Sequence, residues 1–314
     1  MKFKDKGLHH ITVIAGPAQT NYDFYTRILG LRMVLQSVNQ DDTGTWHLFY
    51  ANGSGEPGSS LTFFPFRHAS RTGTGTGEAT TVSFAVPTAS KTFWIDRFRE
   101  FDVPVKEAFK RFGLEVLPFS DPDGLQLELV FDDAAKELPG WDNGPVPSEH
   151  TLRGFWSTTL RLTETETTAK ILQEVMDFEP AVTEENMHLF RTGSAIGNAV
   201  LLEKAEDSNM VHPGRGTIHH VAFRARDRKD LELMRQKVID LNLNIQPTPV
   251  IDRHVFESVY FRTPAGVLFE IATDPPGYAS VVEKEEDMGK ELFLPPWLEP
   301  KRSEIAAKLD PLEA

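Results

Sequence analysis

The stretch Gly7-Leu8-His9-His10-Ile11-Thr12-Val13 and the later stretch Thr217-Ile218-His219-His220-Val221-Ala222-Phe223 place the same histidine pair inside a short apolar run. The β-branched and aromatic residues around each pair favour a β-strand. A helical pattern follows each stretch, at residues 22–30 and 228–241. After the first helix come three strand-like runs, at residues 32–38, 45–50 and 60–66. The first unit is therefore predicted to be βαβββ.

The same unit recurs along the rest of the chain, and such internal repeats decide the fold. A second copy begins with a strand at residues 80–86 and a helix at 91–101. A third begins with a strand at 154–160 and a helix at 166–176, and it closes with a strand at 199–203. The second and fourth copies share the spacing Pro-x-Gly-x-x-x-Glu, from Pro122 to Glu128 and from Pro264 to Glu270. Four copies of one unit are thus predicted.

Length and composition divide the chain into parts. Its 314 residues are about twice the length of a typical domain. Residues 134–149 are rich in Pro, Gly and Asp and are predicted to be a linker. We therefore expect one module at residues 7–133 (repeats 1 and 2), a second at 150–274 (repeats 3 and 4), and a C-terminal extension at 275–314. An acidic run in the extension indicates either a solvated face or a segment packed onto the modules.

Charge and residue content exclude several classes of function. The net charge of −13 argues against a nucleic acid or an anionic membrane as partner. The chain has no apolar run of about 18 residues, and residues 1–7 lack the apolar core of a secretory signal. With no cysteine, disulfides, thiolate metal sites and cysteine nucleophiles are excluded. We expect a cytoplasmic protein whose chemistry depends on its ten histidines and its carboxylates.

The four βαβββ units, grouped in two pairs, resemble the vicinal-oxygen-chelate superfamily, which includes glyoxalases and extradiol dioxygenases. The resemblance covers about residues 7–274 and implies an α+β fold. In that fold, two units pair their sheets into an incomplete barrel, and four repeats make two such modules. The concave face of a barrel holds a divalent metal in this superfamily.

Neighbouring residues on a strand face opposite sides, so only one imidazole of each pair should face a given cavity. The resemblance implies that His10, His220 and Glu270 are the metal ligands. Two imidazoles and one carboxylate suit non-haem Fe(II); Mn(II) is possible, and zinc is less favoured. The alternative is that each histidine only satisfies a hydrogen bond within a sheet.

The other two repeats lack histidine pairs at the same places. Thr80 and Thr81 stand there in the second copy, and Trp156 and Ser157 in the third. Since the ligands come from the first and fourth copies, these two copies should share one cavity. Glu128 and Glu203 would then lie in a second, structural cavity without histidines.

The split of the ligands between the outer repeats resembles the hydroquinone ring-cleaving dioxygenases, most closely the bacterial methylhydroquinone-resistance type. The active-site residues of that group fall onto identical residue types here: His9, Thr12, His219, Arg253 and Tyr260. The resemblance implies an Fe(II)-dependent dioxygenase acting on a hydroquinone such as methylhydroquinone, in aromatic catabolism or quinone detoxification. Its partners would be a small aromatic diol and dioxygen, and a homo-oligomer is possible.

Chemical roles for these residues follow from their side chains. Arg253 and Tyr260 are suited to holding the far hydroxyl or stabilising developing charge, and His9 and His219 are candidates for acid and base. Alternatives stay open: Arg253 in a surface ion pair, Tyr260 in apolar packing, and Thr12 as an ordinary strand residue. The remaining histidines are predicted on loops or surfaces: His47, His68, His150, His188, His212 and His254.

Two other functions are compatible with the same fold. One is a small-molecule binding or sequestration protein, with or without a metal. The other is a glyoxalase-like lyase, which would require a fourth ligand and a basic thiol-binding pocket. Neither feature has support in the sequence.

Overall fold

The computed structural model describes residues 6–210 and 212–314, and its elements follow the βαβββ order four times. Repeat 1 comprises β1 (Leu8–Ala15), α1 (Ala18–Asp23), β2 (Arg32–Asn39), β3 (Asp42–Ala51) and β4 (Ser60–Pro65). Repeat 2 comprises β5 (Glu78–Val86), α2 (Lys91–Glu100), β6 (Phe109–Arg111), β7 (Leu114–Ser120) and β8 (Gln126–Phe131). Repeat 3 comprises β9 (Phe155–Leu162), α3 (Glu166–Glu174), β10 (Glu179–Glu184), β11 (Met187–Arg191) and β12 (Ala199–Lys204). Repeat 4 comprises β13 (Thr217–Ala225), α4 (Arg228–Asp240), β14 (Ile251–Asp252), β15 (Glu257–Arg262) and β16 (Leu268–Thr273).

These strands form two curled eight-stranded sheets. The first sheet has the order β14-β15-β16-β13-β1-β4-β3-β2, and the second has the order β10-β11-β12-β9-β5-β8-β7-β6. Each sheet therefore combines two repeats into an incomplete barrel. The predicted α+β fold, with four repeats paired into two modules, is confirmed.

The choice of repeat partners differs from the expectation that consecutive repeats form a module. In the first sheet β1 pairs antiparallel with β13, and in the second β5 pairs antiparallel with β9. Repeat 1 thus joins repeat 4, and repeat 2 joins repeat 3, because their first strands form the ladder at the centre of each sheet. Each sheet takes one repeat from either side of the linker. The expectation that repeats 1 and 4 share a cavity agrees with this pairing. The division of the chain into residues 7–133 and 150–274 follows the order of the repeats along the sequence, and as a domain division it stays a prediction.

Burial on both faces explains the composition of the central strands. Every residue of β1 is buried. Ile11 and Val13 lie in the main apolar core, whereas His10 and Thr12 alternate with them on the other face. The helices add apolar faces to this core, for example through Phe98 of α2, and each fully buried side chain of this size contributes about 1.5–3 kcal/mol.

The first helix differs from its prediction. The pattern predicted one helix over residues 22–30, but α1 ends at Asp23 and a π-helical turn follows at Phe24–Ile28. The wider turn allows consecutive residues Phe24 and Tyr25 both to be buried. Gly30 ends the segment with φ +70°, and a Cβ atom there would lie 2.6 Å from Val146.

The C-terminal extension packs along the edge strand of the first sheet. The Phe293 N–H donates to the Gln36 carbonyl at 2.8 Å. Leu294 and Ile305 are buried against Val38, and the extension includes the short helix α5 (Arg302–Ala306). The acidic residues Glu283, Glu285 and Glu286 remain exposed. The two alternatives predicted for this segment, a solvated face and packing onto the modules, thus each apply to a different part of it.

Within residues 6–210 and 212–314, no helix combines the length and apolar character needed to cross a membrane.

Candidate metal centre and surrounding cavity

Three potential metal ligands converge on the concave face of the first sheet. His10 lies on β1, His220 on β13 and Glu270 on β16, and all three are buried. Strand register explains their proximity, because Thr12 faces His220 and Glu270 lies beside Ala222, the residue opposite His10. The two imidazole Nε2 atoms are 3.3 Å apart. Glu270 Oε2 lies 3.2 Å from Nε2 of His10 and 2.9 Å from Nε2 of His220.

The donor atoms fit a divalent metal. Ligand bonds of about 2.1 Å place neighbouring donors about 3.0 Å apart at right angles and about 3.4 Å apart in a tetrahedron, close to the observed separations. Neither oxygen of Glu270 receives an aligned hydrogen bond from the part of the chain described here. Burial alone would raise the pKa of Glu270, but His10 and His220 hold that pKa well below its usual range. A buried, ionised carboxylate whose closest polar neighbours are two imidazole nitrogens is suited to sharing a bound cation with them.

Two β-bulges place the second histidine of each pair. Leu8 and His10 pair with the consecutive residues Phe223 and Ala222, so His9 is an extra residue on β1. Likewise, Thr12 and Val13 pair with His220 and Ile218, which makes His219 an extra residue on β13. Because a bulge redirects a side chain, both imidazoles of a pair can approach each other. Nδ1 of His9 lies 2.8 Å from Nδ1 of His10, and the same atoms of His219 and His220 are also 2.8 Å apart.

The hydrogen bonds of His9 determine which ring nitrogen of His10 carries the proton. Nε2 of His9 lies 3.2 Å from the carbonyl oxygen of Thr273, which can only accept, so this nitrogen donates. Burial lowers the pKa of His9 well below its usual range, so its Nδ1 accepts from the Nδ1–H of His10. The lone pair of His10 Nε2 is then free to face the metal position.

His219 has a different environment. Its side chain lines the cavity, and Nδ1 is the ring nitrogen that contacts His220. The side chain is accessible from the cavity, and desolvation by the cavity walls together with the neighbouring His220 lowers the pKa of His219 to about 4. The expectation that only one imidazole of each pair faces the cavity therefore holds for His9 and His10 but is wrong for His219.

Arg253 and Tyr260 both border the same cavity. Tyr260 lies opposite Glu270 in the ladder of β15 and β16, with its ring centre 5.8 Å from that of His220. Nε of Arg253 lies 3.3 Å from the Tyr260 hydroxyl, and its Nη2 lies 3.2 Å from Oδ2 of Asp41. Arg253 thus lines the cavity and also makes the ion pair that the sequence left open. Burial and Glu270 raise the pKa of Tyr260, so the phenol stays protonated.

Thr12 is fully buried behind the cavity surface. Its hydroxyl oxygen lies 2.7 Å from that of Thr62 on β4. Thr62 Oγ1 in turn lies 2.9 Å from Nε2 of His47. Thr12 is therefore connected to the cavity through Thr62 and His47.

The cavity has a volume of about 400 Å³, within the range of small-molecule sites. Its aromatic lining comes from both repeats and from the extension: Phe49, Phe64, Phe256 and Phe293. Its polar lining includes Ser37, Asn39, Gln40, Asp41 and Thr248.

His47 is the site residue that sequence reasoning missed. It was expected on a loop or surface, but it lies on β3 and lines the cavity. Its ring is packed between Phe49, at 3.9 Å between ring centres, and Phe64, at 4.4 Å. Burial, together with His10 and His220, lowers the pKa of His47 well below its usual range. Alternation of His47 with Phe49 in the predicted strand was the available signal.

The other unassigned histidines lie outside this cavity lining. His68 and His212 are exposed. His150 stacks on Phe93, His188 contacts Thr183, and His254 packs on Phe293 of the extension.

The second sheet has the same bulges without the histidines. Its extra residues are Thr80 and Trp156, the positions equivalent to His9 and His219. Glu128 is buried and paired with Arg111, with 2.6 Å between Nη2 and Oε2. Glu203 lies at a more exposed position beside Arg161, so the expected cavity shared by Glu128 and Glu203 is wrong. In the two described ranges, His10, His220 and Glu270 are the one group of three such side chains close enough to hold a metal.

Comparison with protein families finds one match on both sides of the linker. The model of the Glyoxalase/Bleomycin resistance protein/Dioxygenase superfamily matches residues 7–129 and 154–271. The chain is 39% identical over 313 residues to the Bacillus subtilis (strain 168) protein named "Putative ring-cleaving dioxygenase MhqO", covering 100% of this chain and 98% of that protein. It is 33% identical over 317 residues to the chlorohydroquinone/hydroquinone 1,2-dioxygenase of Sphingobium indicum, covering 98% and 97%.

Solved structures show the same relationship. A Bacillus subtilis crystal structure described as a "putative dioxygenase" superposes with a TM-score of 0.93 at 39% identity, covering 99% of this chain and 98% of the other. Glyoxalase I from Zea mays superposes with a TM-score of 0.65 at 14% identity, covering 86% and 92%. The second likeness concerns the fold alone.

Proposed function

We infer, because the chain belongs to the Glyoxalase/Bleomycin resistance protein/Dioxygenase superfamily, that it is an Fe(II)-dependent ring-cleaving dioxygenase. Its substrate would be a hydroquinone such as methylhydroquinone, in aromatic catabolism or quinone detoxification. The names of two relatives, a ring-cleaving dioxygenase and a hydroquinone 1,2-dioxygenase, support this reaction class. The observation that carries the proposal is the buried His10, His220 and Glu270 cluster, which opens onto a cavity lined by aromatic rings.

In this proposal His10, His220 and Glu270 hold the metal. Three protein ligands leave coordination positions open, where Fe(II), or alternatively Mn(II), would supply a Lewis acid for the phenol and an electron source for dioxygen. The aromatic lining favours a flat ring over a charged or extended ligand.

Arg253 and Tyr260 would bind the polar edge of the substrate. Both are already oriented by mutual contact, because the guanidinium meets the Tyr260 hydroxyl and is held by Asp41 on its other side. Such fixed donors stabilise charge on a ring oxygen without rearrangement. Thr12 would act indirectly, through Thr62.

Of the two acid–base candidates, His219 is the better placed to exchange a proton with the substrate. It lines the cavity, and its Nδ1 contact with His220 leaves Nε2 for a bound molecule. Both ring nitrogens of His9 are engaged within the protein, so we assign it a positioning role behind His10.

Dioxygen consumption by protein loaded anaerobically with Fe(II) tests this function. Uptake with methylhydroquinone and a ring-opened product are expected. The variants His10→Ala, His220→Ala and Glu270→Gln should lose both bound iron and uptake and keep the fold. His188→Ala and Glu203→Gln, on the second sheet, are the controls and should retain both.

Each alternative outcome has a defined meaning. Retained iron and activity in all three ligand variants would refute the site. Uptake with catechol alone would keep ring cleavage and discard the hydroquinone. No uptake despite stoichiometric iron would favour a binding or sequestration protein, and thiol-dependent turnover without oxygen would favour a lyase.

The remaining expectations accompany this proposal. The net charge of −13 supports small-molecule partners over nucleic acid. A cytoplasmic location and a homo-oligomeric state stay predictions.

A further inference from the structure

The two walls of the cavity are built symmetrically around the metal position. In the first sheet β1 and β13 are the central strands, flanked by β4 and β16, and then by β3 and β15. His47 lies on β3 and Tyr260 on β15, each two strands from the nearer histidine ligand. Because the sheet is curled, these two side chains belong to opposite walls of the cavity.

Two aromatic rings surround His47 on its wall of the cavity, and Ser37, its partner in the ladder of β2 and β3, also lines the cavity. Phe49 and Phe64 enclose the imidazole and leave its edge as the polar group. Thr62 contacts Nε2, so Nδ1 is the ring nitrogen left for a bound molecule. Thr62 on β4 pairs with Thr12 on β1, in the same way as Glu270 on β16 pairs with Ala222 on β13. The His47 wall thus has a hydroxyl where the other wall has the ligand carboxylate.

A para-diol carries its two hydroxyls on opposite sides of the ring. When one oxygen binds at the metal position, the other points away from the ligands into the cavity, whose lining includes His47. The two oxygens of an ortho-diol are adjacent, so both would lie beside the metal.

We propose that His47 is a substrate-binding residue whose Nδ1 hydrogen-bonds the ring hydroxyl that lies away from the metal. This inference rests on the proposed function, because it takes the metal position and a hydroquinone as given. Arg253 and Tyr260 would then act on the opposite wall, near His220. Thr62 orients the imidazole and links it to Thr12.

The test compares two ligands that differ by one hydroxyl. Affinities of hydroquinone and phenol are measured by calorimetric titration of Fe(II)-loaded protein without oxygen, so that no reaction occurs. Wild type should prefer hydroquinone, and His47→Phe, which keeps a ring between Phe49 and Phe64, should reduce that preference about fivefold. The affinity for phenol should change less than about twofold.

A matched pair of variants separates the two ring nitrogens. His47→Gln keeps a polar group at the place of Nε2, near Thr62, and should lose the preference. His47→Asn keeps one at the place of Nδ1 and should retain part of it. His188→Phe is the control, because His188 also contacts a threonine, Thr183, but on the second sheet; it should leave the preference unchanged.

The outcomes distinguish this inference from the proposed function. Equal losses for both ligands, or an unchanged preference in His47→Phe and His47→Gln, would overturn it, and so would a wild type without any preference. A wild type that shows the His47-dependent preference but takes up no oxygen would overturn the dioxygenase and leave the role of His47 intact.

Discussion

His9 and His219, which precede the candidate ligands His10 and His220, differ in what their second ring nitrogen contacts. Nε2 of His9 donates to the Thr273 carbonyl, deep in the protein, whereas His219 reaches the cavity. The histidines at the two equivalent bulges, His9 and His219, therefore have different roles. His9 fixes the orientation and tautomer of His10, as the outer contacts of metal-bound histidines commonly do.

We predict that His9→Phe weakens metal binding about 10- to 100-fold, because the Nδ1–H of His10 loses its acceptor. Metal titration of the apoprotein, with a competing chelator, measures the change. His9→Asn, whose side-chain oxygen can still accept from His10, should recover part of the affinity.

The thermal midpoint of the metal-free protein separates this effect from damage to the core. An unchanged metal affinity in His9→Phe, with an unchanged midpoint, would contradict the assigned role.

Residue type and family position together predicted that His10, His220 and Glu270 share one site, and the fold brings them together, while their role as metal ligands stays a prediction. Sequence reasoning failed for His47. The run at residues 45–50 was predicted as a strand, but nothing local relates that strand to β1. Only the sheet order, with β4 between β1 and β3, brings His47 to the metal side of the cavity.

At the scale of elements, the predicted strands and helices agree with the structure to within a few residues, because periodicity and turn residues determine them. The bulges could not be predicted in this way. An extra residue such as His219 does not alter the apolar pattern of β13, yet it places both histidines of the pair at the site. The π-helical turn at Phe24–Ile28 escaped prediction for the same reason.

The position of the C-terminal extension could not be predicted from its composition, because its acidic run gave no indication that Phe293, Leu294 and Ile305 make apolar contacts. The structure makes it part of the cavity wall. Phe293 lines the cavity, and its backbone is held by Gln36 of β2.

We predict that Phe293→Ala shifts specificity toward bulkier rings, because it opens that wall. The ratio of kcat/KM for tert-butylhydroquinone to that for methylhydroquinone should rise about threefold to tenfold, the change expected if about one additional methyl group is buried, at about 1 kcal/mol. Steady-state oxygen uptake gives both values.

Trp297→Ala is the control for this experiment, because Trp297 is 49% exposed and lies outside the cavity lining. The same ratio in wild type and Phe293→Ala would show that the extension does not shape the substrate site.

At the scale of the whole molecule, the repeats are similar enough that no local pattern shows which of them share a sheet. The distribution of the histidines did indicate that repeats 1 and 4 share a cavity. The second sheet keeps the bulges but has Glu128 neutralised by Arg111. The buried carboxylate of the second sheet is thus paired with a guanidinium, whereas Glu270 in the first sheet lies beside the imidazoles of His10 and His220.

We predict that the metal-free protein loses stability as the pH falls from 7 to 5. Burial holds the pKa values of His9, His47 and His220 below the usual value, and it lowers the pKa of His219 to about 4. The unfolded chain protonates its histidines near pH 6.5 and therefore binds more protons than the native state throughout this window. The free energy of unfolding, measured in urea with a chelator present, should accordingly be lower at pH 5.

Two carboxyl groups oppose this trend. Burial raises the pKa of Asp121 to about 6, so the native state binds more protons there below that pH. Burial also raises the pKa of Glu78, but these two carboxyl groups stand against four histidines, so the net direction is unchanged. His47→Phe should flatten the pH dependence. Equal or greater stability of the wild type at pH 5 would contradict the prediction.

The pairing of the first repeat with the last has a consequence for biosynthesis. A ribosome that has just made His10 must add the 260 residues from position 10 to position 270 before Glu270 exists. At about 5–20 residues per second this takes roughly 13–50 s. Until β13 is made, β1 lacks its central partner and the nascent chain holds one of the three residues; His220 on β13 adds the second, and Glu270 on β16 adds the last. A metal bound by all three residues can therefore be captured only by the nearly complete polypeptide, and a chain that stalls before Glu270 carries an incomplete site.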